Sequence, residues 1–140
     1  DQLRRQVEKF LASDEYLSLT VNILFTDDGL TLGRRREGGL EIGFFPHPRR
    51  EHDEEANIRE LFASIGCAPH VDYLCNGGRI RVLDFAIPDD LEAILGLCNR
   101  VLKEIYNMRG TDSLKYSFLL RSDIEQAIRL RDDTSHTQLL

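Results

Sequence analysis

Between Leu17 and Phe25 the odd positions are Leu17, Leu19, Val21, Ile23 and Phe25, with Ser18, Thr20 and Asn22 between them. A period of two is the pattern of a strand with one buried and one wet face. A sheet built on it must find a cover for one side only. Asp27-Asp28-Gly29 turns the chain, since Asp and Gly tolerate the left-handed backbone a hairpin needs. Leu30 and Leu32 begin a second strand that runs into Arg34, Arg35 and Arg36. Glu37-Gly38-Gly39 turns again, and Leu40, Ile42 and Phe44 alternate until Pro46 and Pro48 stop the strand. Three strands joined by tight turns make an antiparallel meander.

Helical spacing frames it. Leu3, Val7, Phe10 and Leu11 form one apolar face over residues 2–12. A second helix is expected over 53–65, with Asp53 as N-cap, Glu54 and Glu55 in its first turn, and Ile58, Leu61, Phe62 and Ile65 as its stripe. Val71–Cys75 and Arg79–Ile87 read as strands around Asn76-Gly77-Gly78. A third helix, over 89–108, carries Leu91, Ile94, Leu95, Cys98, Val101, Leu102 and Ile105 on one face, with Asp89 and Glu92 spaced as a capping box. After Gly110 the pattern weakens. Leu114, Tyr116, Phe118 and Leu120 allow a short strand, and Ser122 with Glu125 opens a small helix bearing Ile124, Ala127, Ile128 and Arg131.

The expected fold class is α+β: an antiparallel sheet of about five strands in the order α-βββ-α-ββ-α, helices on one face, and a C-terminal helical appendage. A single domain is expected over 1–131, with its core over 2–108, the appendage over 111–131 and a flexible tail over 132–140. The uncovered face would carry Ser18, Thr20, Asn22, Thr31, Gly33, Arg35 and Glu41, which suit water. It would also carry Leu24, Phe45, Leu83 and Phe85, which do not, and these four are the candidate partner-binding residues.

Composition excludes several classes. Eighteen basic and 24 acidic residues give a net charge of −6, against a general nucleic-acid binder. Most of the acidity lies in residues 51–110, which hold six basic and eleven acidic groups. No apolar run approaches the ~20 residues of a membrane span. Three cysteines without a C-x-x-C fit a reduced, cytoplasmic setting. No Walker, dinucleotide, G-x-S-x-G or H-E-x-x-H motif is present, which favours a non-enzyme without excluding a regulatory or enzymatic domain, and no bound cofactor is expected.

Three clusters carry candidate chemistry. Arg34, Arg35 and Arg36, with His47, offer guanidinium groups to a phosphorylated small molecule or nucleotide; the alternative is a solvated strand end with alternate arginines on opposite faces. Cys67, His70 and Cys75 could supply three zinc ligands, but C-x-x-H-x-x-x-x-C is not a common structural-zinc spacing and no metal is expected. His47, Arg49, Arg50, Glu51 and His52 read as a proline-broken loop before a helix rather than acid–base machinery.

The layout of helix 2–12, strands 17–25, 30–35 and 40–45, helix 53–65, strands 71–75 and 79–87, and helix 89–108 resembles the type III secretion chaperone fold, shared with some bacterial sensory-transduction regulators. The resemblance covers about residues 2–108. The arginine hairpin and the segment beyond Gly110 fall outside it. It implies a homodimer that binds an extended segment of a partner protein along apolar patches. The expected function is therefore a small cytoplasmic interaction domain, chaperone-like or an adaptor. Anion binding through the arginine hairpin and a structural subunit of a larger assembly are the alternatives.

Overall fold

A computed structural model describes residues 1–46 and 53–138. The elements run α1 (Gln2–Leu11), β1 (Tyr16–Ile23), β2 (Gly29–Arg34), β3 (Leu40–Phe44), α2 (Glu54–Ser64), β4 (Val71–Cys75), β5 (Ile80–Ile87), α3 (Leu91–Arg100), β6 (Leu114–Leu120) and α4 (Arg121–Gln138). α3 continues directly into a π-helical turn over Val101–Ile105. The strands form one antiparallel sheet in the order β4-β5-β3-β2-β1-β6.

The fold is α+β as the patterning implies, with six strands rather than five. The sixth comes from the segment assigned to the appendage: β6 pairs with the free edge of β1 from Ile23↔Leu114 to Tyr16↔Leu120. Its alternation follows from that seat, because Leu114, Tyr116 and Phe118 pack against the core while Lys115 and Ser117 are exposed. The final helix is also longer than the small one expected. It runs to Gln138.

Capping chemistry places most helix starts. Asp1 Oδ1 accepts from the Leu3 N–H and Asp53 Oδ1 from the Ala56 N–H. At α3 the cap is Asp90, whose carboxylate accepts from the Ala93 N–H at 2.9 Å. This shifts the expected cap by one residue from Asp89 and frees Glu92, which instead holds Arg4 of α1 at 2.6 and 3.1 Å. The guanidinium of Arg4 in turn keeps the Glu92 carboxyl below its ordinary range.

The inner sheet face is a continuous apolar floor. Strand register aligns Phe118, Leu19, Leu32, Ile42 and Phe85 in one row across five strands. Above it lie Leu3, Val7 and Phe10 of α1, Ile58, Leu61 and Phe62 of α2, and Ile94, Leu95 and Cys98 of α3. Phe62 stacks on Phe85 at 4.0 Å between centroids with the rings 10° apart, and Phe44 meets both edge-on at 5.8 and 6.2 Å. Burial pushes the Cys98 thiol up to about 12, so it packs as an inert apolar group. At the sheet edge Arg59 of α2 bridges to Asp72 of β4 at 2.8 and 3.0 Å, and Arg81 reaches the same carboxylate at 3.0 Å.

This register corrects the expectation for two candidate partner-binding residues. Ile42↔Phe85 and Phe44↔Leu83 place Leu83 and Phe85 on the helix-covered face, where both are fully buried. β5 is apolar on both sides, so its own periodicity could not show which side α2 would cover. Phe85→Ala is therefore expected to destabilise the fold by about 3–5 kcal/mol. Urea unfolding checks this: the midpoint should fall with little change in slope, whereas a near-neutral effect would contradict the buried placement.

Candidate functional site

The outer sheet face has no helix over it among the described residues. Two rows cross it: Leu119–Ser18–Gly33–Glu41–Ala86, and Ser117–Thr20–Thr31–Gly43–Asp84–Val71. Glycines stand at the centre of both rows, so the middle of the sheet is a trough. Gly43 is required there. A Cβ on it would collide with Asp84 Oδ1, whose carboxylate leans across from the neighbouring strand.

Phe45, just beyond β3, stands over this trough with 68% of its surface exposed. It separates two cavities that share Thr31, Gly43 and Phe45. One, of about 250 Å³, has Leu17, Leu119 and Phe45 as apolar walls and Glu41 and Asp84 as an acidic wall, with Arg34 also at its lining. The other, of about 290 Å³, lies toward Asn22, Asp27, Gly29 and Tyr106.

Electrostatics distinguishes the acidic wall. Burial raises the Asp84 carboxyl above its ordinary value; Glu41 adds to the rise and His70 opposes it. Glu41 has a neighbour of its own, with His70 Nε2 2.8 Å from Glu41 Oε2. The groove thus offers apolar surface beside two partly desolvated carboxylates. Such a site suits a side chain or segment that joins a cation to apolar groups.

The other sequence candidates are scattered. Leu24 lies past the end of β1 in the turn, 39% exposed, with its N–H donating to the Ser113 carbonyl. It is not on the sheet face expected for it, because β1 stops at Ile23 and Phe25 turns the chain with φ +66°. Of the four residues expected on the open face, only Phe45 lies at the groove. The missed contributors are Glu41 as an acidic wall, Asp84, and the glycine pair. Of these, the sequence pattern places Glu41 and Gly33 on this face, both as residues that suit water.

The three arginines diverge. The Arg34 guanidinium stacks over the Phe10 ring at 4.7 Å and donates to the carbonyls of Tyr16, Phe10 and Ser13 at 2.9, 2.7 and 2.8 Å. Arg35 faces Glu37 at 3.7 Å, and Arg36 is exposed in the turn. No common anion pocket results. His47, Arg49, Arg50, Glu51 and His52 lie outside the described residues.

The Cys67–His70–Cys75 set does not converge either. His70 engages Glu41, and the Cys67 thiol donates to the Ala86 carbonyl at 3.4 Å. Among the described residues no group of three potential ligands could hold a metal ion. A further cleft of about 330 Å³ lies between α2 and the π-helical turn, but its Arg100 is paired with Glu104 at 2.7 Å. No described helix is long and apolar enough to cross a membrane. Comparison of the chain with protein-family models, curated proteins and solved structures returns no significant match.

Two outcomes follow from these placements. Arg34→Ala removes three charge-assisted hydrogen bonds and leaves carbonyls at the α1–β1 junction unpaired; the expected loss is about 2–4 kcal/mol, with Arg34→Lys recovering only part of it. Denaturant unfolding of the two variants checks this. Asp84 contributes in the opposite sense. Its raised folded-state value means the native state holds the proton longer than the unfolded state, so stability declines as pH rises from the ordinary aspartate range through the folded value. In the isolated protomer, Asp84→Asn is expected to raise Tm at pH 7 by roughly 1–3 °C and to leave it unchanged near pH 3. Thermal melts at the two pH values decide the sign.

Proposed function

We propose that this chain is a protein-interaction domain, chaperone-like or an adaptor, that dimerises and binds a polypeptide across the open face of its sheet. The observation that carries this reading is the groove at Phe45: a large aromatic held in solvent above a glycine trough, with apolar walls and a desolvated acidic side. A scattered exposed hydrophobe is ordinary, but one set into a concave apolar surface with convergent polar groups is the common form of a binding site. The layout likeness to secretion chaperones supports the same class of function. Arg34, occupied by backbone carbonyls, gives the anion-binding alternative no support.

The edge strand β4 offers a second element of the same kind. Tyr73 and Leu74 are each 51% exposed on a strand with one unpaired side among the described residues, a geometry open to strand addition. Parallel affinity capture from the native host with the wild type and Phe45→Asp tests the groove. The expected result is a polypeptide retained by the wild type and lost from the variant by roughly tenfold or more, which corresponds to about 1.4 kcal/mol. Equal retention by both proteins, or none above a bare-matrix control, overturns the proposal.

A further inference from the structure

α4 lacks what an amphipathic helix needs. Every described side chain on it, from Arg121 to Arg131, is exposed, including Ile124 at 39%, Ile128 at 55% and Leu130 at 60%. Most helical stability in proteins comes from packing one apolar face rather than from propensity. Spacing of three and four residues aligns Ile124, Ala127, Ile128 and Arg131 along one side, so the described part of the stripe carries apolar groups and a cation.

The helix is held away from its own sheet. It follows β6 without a linker, and its first turn is pinned: the Arg121 N–H donates to the Glu15 carbonyl at 2.8 Å, and the Ser122 N–H to Glu15 Oε1 at 3.1 Å. Arg121 also donates from its guanidinium to the Asp14 carbonyl at 3.3 Å. These three bonds hold the first turn against Asp14 and Glu15, and no described residue of the chain covers the stripe.

We propose that each α4 lies in the open-face groove of a second copy of this chain, exchanged reciprocally about a two-fold axis. This rests on the interaction reading above and names the partner. Ile124 and Ile128 cover Phe45, Leu17 and Leu119, and Arg131 meets the carboxylates of Glu41 and Asp84. The match is one of both polarity and charge: an apolar stripe with a cation against apolar walls with a desolvated acidic side. Position also agrees. Leu119, at the end of the groove, is two residues from the start of α4, so a two-fold axis near it carries each helix into the other's groove. One symmetry operator then satisfies both unpartnered surfaces.

Sedimentation equilibrium of the full chain tests the exchange, using the wild type, Ile124→Glu/Ile128→Glu, Asp84→Lys, and Asp84→Lys combined with Arg131→Glu. Both isoleucines are exposed, and circular dichroism melts verify that each variant is folded. The expected result is a wild-type dimer that the isoleucine pair weakens by roughly tenfold or more. Asp84→Lys should weaken it too, and the added Arg131→Glu should restore it. A monomeric wild type, a dimer indifferent to the isoleucine pair, or failure of the charge swap to restore association overturns the proposal. The two readings fail separately. Phe45-dependent capture by a monomeric wild type overturns the exchange alone, whereas an α4-dependent dimer with no Phe45-dependent capture supports it and removes the external client.

Discussion

The stacked contact between Phe62 of α2 and Phe85 of β5 decides which side of β5 faces the helices, and the outer face follows from that choice. With Phe85 inward, strand geometry carries Leu83 and Ile87 inward too and turns Val82, Asp84 and Ala86 outward. Asp84 then lies directly opposite Gly43, the only kind of residue that lets its carboxylate lean across the neighbouring strand. A one-residue slip between β3 and β5 would bury the carboxylate under α2 and expose the aromatic. The groove is thus a consequence of core packing rather than an addition to it.

Local chemistry was legible in the sequence wherever one residue type decides the outcome. The alternation of β1 survives as Leu19, Val21 and Ile23 inward and Ser18, Thr20 and Asn22 outward, but not at its ends, where a register shift before Ser18 leaves Leu17 on the outer groove and Phe25 lies exposed beyond the strand. The Asn76-Gly77-Gly78 turn has positive φ at all three residues, and Asp53 caps α2. What the sequence could not show depends on distant pairings. β5 is apolar on both sides, so only its register with β3 identifies the buried one. β6 alternates as a strand should, yet its place in the sheet depends on a free edge of β1 roughly a hundred residues earlier. Its helical sequel takes its first contacts from Glu15, which no local capping pattern could reveal.

The arginine run shows the same division. Three adjacent guanidinium groups suggest a common ligand, but a strand sends neighbours to opposite faces. Arg34 falls on the helix side, where the end of α1 and the start of β1 leave carbonyls of Phe10, Ser13 and Tyr16 within its reach. A planar fork of donors fits such a cluster of acceptors better than an ammonium would. Its charge is therefore used to fasten α1 to the sheet, and in the charge map of the groove, which Arg34 also lines, its guanidinium counts as one held by those carbonyls.

Drawn that way, the outer face carries a conflict that the described fold leaves open. Two carboxylates stand beside each other in a partly desolvated trough; Glu41 adds to the cost of ionising Asp84, and His70, 2.8 Å from Glu41, offsets part of it. A sequence shaped only for stability would place an amide at Asp84 and a small polar residue at Phe45, since neither native side chain contributes much to the core. Local disagreement between sequence and stability is characteristic of surfaces that act on something else. The resolving group has to be cationic and partly apolar, and it has to reach a groove about 250 Å³ in volume. Arg34 is committed elsewhere. α4 presents such a group on a helix that is itself without cover, so the same chain contains both a surface in need of a cation and a cation in need of a surface.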